Sequence, residues 1–155
     1  MSKKKRNKKT NYKVEDKVVK WEDLAETSEN IRKTLADLNM KMMEISNRFK
    51  EQIENNPNLS KTLQGIVLTL NDLTEQYVTV KASHSKGAPD QPVFFTGDVN
   101  PEDDKQMELY MNATIAYAGL ANQLQVVGHT SVAALLTELQ AELEKQKGAE
   151  GGKDN

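Results

Sequence analysis

Residues 21–54 read WEDLAETSENIRKTLADLNMKMMEISNRFKEQIE, and the spacing of the apolar side chains in this stretch decides the fold class. Apolar residues recur every three or four positions, with Glu, Lys, Asn and Arg between them. This heptad pattern is typical of a helix that packs along one seam. The seam residues are Trp21, Leu24, Ser28, Ile31, Leu35, Leu38, Met42, Ile45 and Phe49. At 1.5 Å per residue the helix would be about 50 Å long, so it needs a long partner.

The sequence Asn55-Asn56-Pro57-Asn58 is expected to end this helix, because proline disfavours helical geometry in the residue before it and asparagine favours turns. Asn58 or Ser60 is the expected N-cap of a second helix, over about 58–83. A short turn between two such helices makes them antiparallel neighbours, so the pattern predicts a helical hairpin. The seam of the second helix consists of Leu59, Leu63, Ile66, Leu70, Leu73, Tyr77 and Val80.

The remaining chain is predicted to form a loop and two more helices. The loop, 84–100, contains two glycines, two prolines and a short β-prone run at 92–96. Asn100 is the expected N-cap of a helix over about 101–127, with Pro101 in its first turn, and Gly128 is expected to end it. Thr130 would cap a last helix, 131–147, followed by a mobile tail over 148–155. The predicted fold class is therefore all-α.

Length and composition set further limits. The 155 residues fit one domain, and 37% hydrophobic with 28% charged residues is normal for helical hairpins and coiled coils. The chain contains no cysteine, which excludes disulfides, thiol chemistry and Cys-ligated metal sites. No run of about 18 apolar residues is present, so no membrane insertion is expected. The N-terminus lacks the apolar stretch of a signal peptide, and a cytoplasmic location is expected, in a host cell if the protein is viral.

Charge is distributed unevenly along the chain. Residues 1–20 carry nine basic and two acidic side chains, giving +7, whereas residues 21–155 carry 12 basic and 21 acidic ones, giving −9. Like charges repel one another, so the N-terminal arm, 1–20, is expected to be disordered. It is the candidate contact for nucleic acid, without base preference. An anionic membrane surface, an acidic patch on a partner and a merely solubilising role are the alternatives. The six candidate residues are Lys3, Lys4, Lys5, Arg6, Lys8 and Lys9.

The sequence contains no recognisable catalytic or metal-binding pattern. Its two histidines, His84 and His129, lie beside predicted helix ends and are expected to be solvated loop residues. The acidic residues between Asp98 and Asp104 fail the EF-hand pattern and suit a helix N-terminus. We therefore expect no enzyme activity, no cofactor, no metal and no small-molecule substrate.

A homo-oligomer is predicted, because the first seam is longer than the second helix can cover. A further protein partner is also expected. The loop aromatics Phe94 and Phe95 must be buried as well, on the same chain or on a neighbour. The predicted oligomer interface consists of Leu24, Ile31, Leu35, Leu38, Met42, Ile45, Phe49, Phe94 and Phe95.

Part of this layout resembles the small terminase subunits of large contractile-tailed phages. The resemblance covers about residues 30–100: Ile31-Arg32-Lys33 in a long amphipathic helix, the turn at Asn55–Ser60, a second helix, and Val93-Phe94-Phe95-Thr96-Gly97 after a Gly/Pro loop. In that family a helical hairpin oligomerises and the oligomer assists the large ATPase–nuclease subunit in packaging DNA. The resemblance therefore implies a viral DNA-packaging role.

Three functions are predicted as alternatives. The first is a non-catalytic structural or assembly protein that oligomerises through helical seams and binds polyanion through the arm. The second is the packaging subunit implied by the resemblance. The third is a helical adaptor or regulatory protein without nucleic-acid contact.

Overall fold

The chain is all-α in the computed structural model, which describes residues 18–154 and their side chains as far as 148. The long helices pack side by side around one core. A two-stranded antiparallel ribbon lies in the loop between the second and third of them. The helices are α1 (Trp21–Arg48), α2 (Lys50–Glu54), α3 (Pro57–Ser83), α4 (Asp104–Val126) and α5 (Ala133–Asp154), with a π-helical segment at Val127–Val132. The strands are β1 (Ser85–Lys86) and β2 (Val93–Phe94).

The predicted hairpin is present, with two local differences. Phe49 leaves helical geometry, with φ −111° and ψ 29°, and separates α1 from α2. The amide of Ile53 still donates to the Phe49 carbonyl at 2.9 Å, so the irregularity is confined to one residue. Asn56 caps α3, in place of the expected Asn58 or Ser60. Pro57 has no backbone N–H that would need a partner, and its fixed φ suits the first residue of a helix. The helix therefore begins at Pro57, and the residue before it, Asn56, is the cap.

The Asn56 cap gives a testable stability prediction. Its side-chain oxygen accepts from the amides of Asn58 at 3.1 Å and Leu59 at 3.4 Å. Replacing Asn56 by Ala leaves both amides without this partner, and we expect the free energy of unfolding to fall by about 1 kcal/mol. Chemical denaturation of Asn56→Ala beside Asn55→Ala measures the effect, since Asn55 is exposed and its side chain makes no such cap. Equal losses in the two variants would contradict the role of the cap.

The Gly/Pro loop is folded back onto the start of α1. The amide of Trp21 donates to the Gly97 carbonyl at 3.0 Å, and that of Val99 donates to the Val19 carbonyl at 2.9 Å. Gly97 has φ +88°, a conformation that favours glycine. The predicted β-prone run forms β2, which pairs with β1 in the register Ser85–Phe94 and Lys86–Val93. The loop therefore joins the end of α3 to both α1 and α4.

The start of α4 lies three residues later than expected. Asp103 is the N-cap and accepts from the amides of Lys105 at 3.0 Å and Gln106 at 3.3 Å. The side chain of Asn100 instead accepts from the amide of Glu102 at 3.0 Å. This short bond closes a turn that contains Pro101, so Asn100 ends the loop and does not begin the helix.

The prediction that Gly128 ends α4 and Thr130 caps the next helix is wrong, because the chain continues through the π-helical segment into α5. Buried residues step by three from Leu124 to Val127, by five to Val132 and by three to Leu135. In an α-helix the residues on one side recur every three or four positions, so a step of five would turn Val132 away from the core. A π-turn contains one more residue and keeps Val132 in the core. A Cβ on Gly128 would lie 3.3 Å from Leu38 Cδ2, so this glycine allows close approach to α1.

The last helix does not end before Gly148, where the predicted tail begins. Gly148 lies within α5, which extends to Asp154. A glycine ends a helix when its backbone turns left-handed, and the positive-φ glycines of the described residues are Gly87 and Gly97. The expected tail is therefore helical as far as Asp154.

Candidate interaction surface

The longest uncharged stretch of the chain runs from Leu109 to Thr137, which contains no Asp, Glu, Lys or Arg. It covers most of α4, the π-helical segment and the start of α5. Since 28% of the whole chain is charged, a helical stretch of this length without charge is unusual for a solvent-exposed helix.

Exposed apolar and small side chains form a line along this stretch. Met111 is 55% exposed, Ile115 66% and Val126 54%. With the exposed Ala118 and Asn122 between them, the spacing is four, three, four and four, so these residues share one side of α4. The core residues Ala113, Tyr117, Leu120 and Leu124 lie on the opposite side of the helix. We call the line of Met111, Ile115, Ala118, Asn122 and Val126 the uncharged strip.

The outer side of α1 has a different character. Its exposed positions are rich in Asp, Glu, Lys and Arg, and Arg32 forms an ion pair with Glu29 at 2.6 Å. The other large apolar residues that are exposed are Val18 before α1, the neighbouring Met40 and Met43 on α1, Leu68 on α3 and Val93 in β2. Single exposed apolar residues and pairs of them are normal on a protein surface, whereas a longer line on an uncharged helix marks a candidate interface.

A groove of about 510 Å³ adjoins the uncharged strip, between α1 and the π-helical segment. Its floor is apolar and includes Leu38 and Leu136. Asp37 and Lys41 lie on the α1 wall and His129 on the opposite wall. Part of the groove wall belongs to the π-helical segment, and such segments are frequent at functional sites.

Inside the bundle, His84 is fully buried, so the expectation of a solvated loop residue is wrong. His84 lies directly after α3, where β2 folds back over it and the Phe94 ring stacks on the imidazole at 5.2 Å. Its Nε2 is 2.7 Å from the Tyr117 hydroxyl, while its Nδ1 has no hydrogen-bond partner among the described residues. Burial lowers the pKa of His84 and raises the pKa of Tyr117 to about 12. Both groups are therefore neutral at pH 7 and link α3 to α4.

A second polar contact in the core links α1 to α3. The fully buried Ser28 donates from its hydroxyl to the Tyr77 hydroxyl at 3.3 Å. Ser28 occupies a seam position, where an aliphatic residue would otherwise be expected, and its hydroxyl is paired as burial requires. These contacts fix the helices relative to one another, while solvent has no access to Ser28 or His84.

Phe94 and Phe95 are half-buried against their own chain. The Phe95 ring contacts Trp21 edge-on at 5.3 Å between centroids, and Trp21 contacts Tyr110 at 5.9 Å. Phe94 covers His84. The loop aromatics thus hold the loop against Trp21 of α1 and His84 at the end of α3, and their burial in an oligomer stays a prediction.

The sequence-based interface residues lie in the core of a single chain. Leu24, Ile31, Leu35, Met42, Ile45 and Phe49 are buried, and Leu38 is half-buried beside Gly128. At 27 residues α3 is nearly as long as the 28-residue α1, and α4 packs against α1 as well, with Gly128 of the π-helical segment beside Leu38, so the seam is covered within the chain. The seam residues are therefore not available to a second chain in this fold. The six basic arm residues lie outside the described residues. His129 is exposed as expected, but it lies in the π-helical segment and not in a loop.

Comparison with protein families, curated proteins and solved structures finds no match to this chain. Among residues 18–154, no helix is long and apolar enough to cross a membrane. The described residues also contain no group of three or more His, Asp or Glu arranged to hold a metal ion. The uncharged strip and its adjoining groove are the surface features that best suit a binding role.

Proposed function

We propose that this chain is a non-catalytic assembly protein whose copies associate through a helical surface and whose N-terminal arm binds the backbone of a nucleic acid. The observation that carries the nucleic-acid part is the charge separation, +7 on residues 1–20 against −9 on residues 21–155. A cationic arm attracts phosphate, and its release of counterions drives association. The acidic remainder repels phosphate, so the arm is the side of the molecule that a polyanion approaches.

The interior of the bundle supports a structural role for its polar groups. His84, Tyr117 and Ser28 are buried and bridge helices, so they are placed to stabilise the fold and not to reach a substrate. The surface supports protein contact, since the uncharged strip is exposed and apolar. Both features suit a rigid body that positions an arm and presents one face to another protein.

Salt dependence of DNA binding tests the arm. If about four to six basic residues neutralise phosphates, log K against log salt should slope at roughly −4 to −5. Deleting residues 1–13 should abolish binding at about 50 mM salt, while the helical content stays nearly unchanged because α1 begins at Trp21. Replacing the six candidate residues Lys3, Lys4, Lys5, Arg6, Lys8 and Lys9 by Gln should have the same effect. Random and selected duplexes should bind alike.

A matched control distinguishes the arm from positive charge in general. Lys41 and Lys61 lie on exposed helical positions of the body, and changing both to Gln also removes positive charge. This variant should keep nearly the wild-type slope. If the truncated protein binds duplex DNA as tightly as the full chain, the contact lies on the helices and the proposal is wrong.

The packaging role implied by the resemblance remains the second candidate. The α1–α3 hairpin and the docked Val93–Phe95 segment match the layout on which the resemblance rests. Here, however, α4 of the same chain packs against both helices of the hairpin and covers its seam. A large ring that binds DNA would favour packaging. A chain indifferent to DNA would favour the third candidate, an adaptor or regulatory protein.

A further inference from the structure

We infer that residues 12–16 of the N-terminal arm dock in an apolar groove beside Trp21 and anchor the arm to the body of its own chain. We call these residues the anchor segment and the groove that would hold them the anchor groove. The composition of the segment, its charge and its short distance along the chain from the groove all suit this contact. The contact is separate from the proposed function, since it does not depend on nucleic acid.

The anchor groove has a volume of about 420 Å³ and lies where the ribbon and the start of α4 meet the first residue of α1. Its apolar side chains belong to Trp21, Phe95 and Leu109. Phe95 and Leu109 are only half-buried, although Phe95 packs against Trp21. Apolar surface therefore remains here that an occupant would remove from water.

The charged side chains of the anchor groove are positive. Lys86 and Lys105 line it together with Gln106, and no Asp or Glu of the described residues does so. Both lysines are exposed, and neither forms an ion pair within the described part of the chain. The groove thus differs from residues 21–155 as a whole, which carry −9. An occupant that combines apolar side chains with carboxylates complements it.

The anchor segment has this composition, in contrast to the rest of the arm. Residues 1–9 carry six basic side chains and no acidic one, whereas residues 10–17, TNYKVEDK, carry two of each sign. Tyr12 and Val14 are two positions apart, so in an extended chain both point to the same side and can enter one groove. The two carboxylates follow directly after Val14 and are available to pair with the lysines of the groove.

The chain enters the body beside the anchor groove. Val18 precedes Trp21 by three residues, and the Val19 carbonyl accepts from the Val99 amide at 2.9 Å, which holds this entry point against the loop. Three residues span at most about 11 Å, and the six from Tyr12 to Val18 span about 20 Å, so the segment can fold back into the groove. A tether this short gives an effective concentration in the millimolar range, at which even a weak contact is populated.

Docking of the anchor segment divides the arm into two parts with different roles. Residues 1–9 keep all six candidate phosphate contacts free, while Glu15 and Asp16 are held at the body by the groove lysines. The contact neutralises the two negative charges nearest to the basic residues and fixes the point from which these residues leave the bundle. A nucleic acid bound to them would lie at the end of the bundle that carries the ribbon.

The indole N–H resonance of Trp21 tests the contact directly, because the chain contains one tryptophan and so gives one such signal. Tyr12→Ser removes the aromatic ring of the anchor segment and should shift this resonance in a nitrogen–proton correlation spectrum of the full chain. Thr10→Ser is the control, since it changes a residue just outside the segment, and should leave the resonance at its wild-type position. A resonance that is the same in all three chains overturns the docking.

Tryptic cleavage after Lys13 measures how much of the time the segment is docked. The reference rate is that of the same bond in a free peptide of residues 8–20. At a millimolar effective concentration, a contact with a Kd of about 0.1 mM is formed about nine-tenths of the time, so cleavage in the full chain should be about 10-fold slower than in the peptide.

Two charge variants with the same arm show whether this protection comes from the groove. Lys86→Glu with Lys105→Glu makes the groove repel the carboxylates and should reduce the protection to less than about 3-fold. Lys41→Glu with Lys61→Glu reverses two exposed lysines on α1 and α3 and should keep the wild-type protection. Equal protection in the two variants overturns the groove as the docking site.

The remaining outcomes concern the occupant and the proposed function. Protection that rises with protein concentration between about 1 and 100 µM means that the segment occupies a second copy, which overturns docking within one chain. DNA enters none of these measurements. They can therefore fail while the arm binds DNA, and the DNA titration can fail while the segment is docked.

Discussion

A chain in which Phe94 and Phe95 are both replaced by Ser is expected to lose about 2–5 kcal/mol of its free energy of unfolding. Both rings are half-buried, and each makes a defined aromatic contact: Phe95 with Trp21 and Phe94 with His84. Serine removes the apolar area of the ring and leaves Trp21 and His84 partly uncovered. The loss should be large because the loop joins three helices.

Urea denaturation of the double variant measures this loss, and Val93→Ser is the matched control. Val93 precedes the pair in β2 but is 67% exposed, so its replacement should change the free energy of unfolding by less than about 0.5 kcal/mol. An unchanged denaturation midpoint in the double variant would mean that the loop aromatics do not stabilise the monomer. In that case a role in an oligomer would remain to be tested by the mass of the variant.

The helices themselves were predictable because the apolar spacing is regular over long stretches. The hairpin, the Asn/Pro turn and the β-prone run at 92–96 all follow from local rules of spacing and turn chemistry. Helix ends were less predictable. Asn56, Asn58 and Ser60 are all good caps, and the position of Pro57 decides among them.

The π-helical segment has a signal in the sequence that glycine obscures. Gly128 and Thr130 predict a helix end and a new start, because glycine commonly ends helices. The spacing of five between Val127 and Val132 is the better guide, since a π-turn keeps both residues in the core where an α-turn would not. A glycine beside Leu38 then reflects close packing.

The interface residues could not be assigned from the seam alone. A heptad pattern identifies which side of a helix is apolar, but not which part of the molecule covers that side. Here α4 packs against α1 beside α3, so the seam is covered within the same chain. The absence of charge between Leu109 and Thr137 is visible in the sequence, and in the structure Met111, Ile115 and Val126 of this stretch are exposed.

His84 was misjudged for a related reason. Its position next to a helix end suggested solvent exposure, but the loop folds back and places Phe94 on the imidazole. Contacts of this kind depend on tertiary structure: Tyr117 lies 33 residues further along the chain than His84. Neither residue type nor spacing predicts such a pair.

Acid is expected to destabilise the protein through His84 before most carboxylates titrate. Burial lowers the pKa of His84 below its ordinary value of 6.5, so the unfolded chain takes up a proton that the folded chain excludes. The contribution of His84 to the free energy of unfolding is therefore fully present above pH 6.5, and it is lost as the pH falls from 6.5 towards the lowered pKa. One proton contributes at most about 1.4 kcal/mol per pH unit.

Urea denaturation of the wild type, His84→Gln and His129→Ala at pH 7.5 and about 5.2 tests this origin. The Gln amide reaches about as far as the imidazole Nε2 and can keep a hydrogen bond to Tyr117, but it does not titrate. His84→Gln should lose less stability between the two pH values than the wild type. His129 is exposed, so His129→Ala should show the wild-type pH dependence. If His84→Gln and the wild type lose equal free energy, protonation of His84 does not limit acid stability, and another group must supply the dependence.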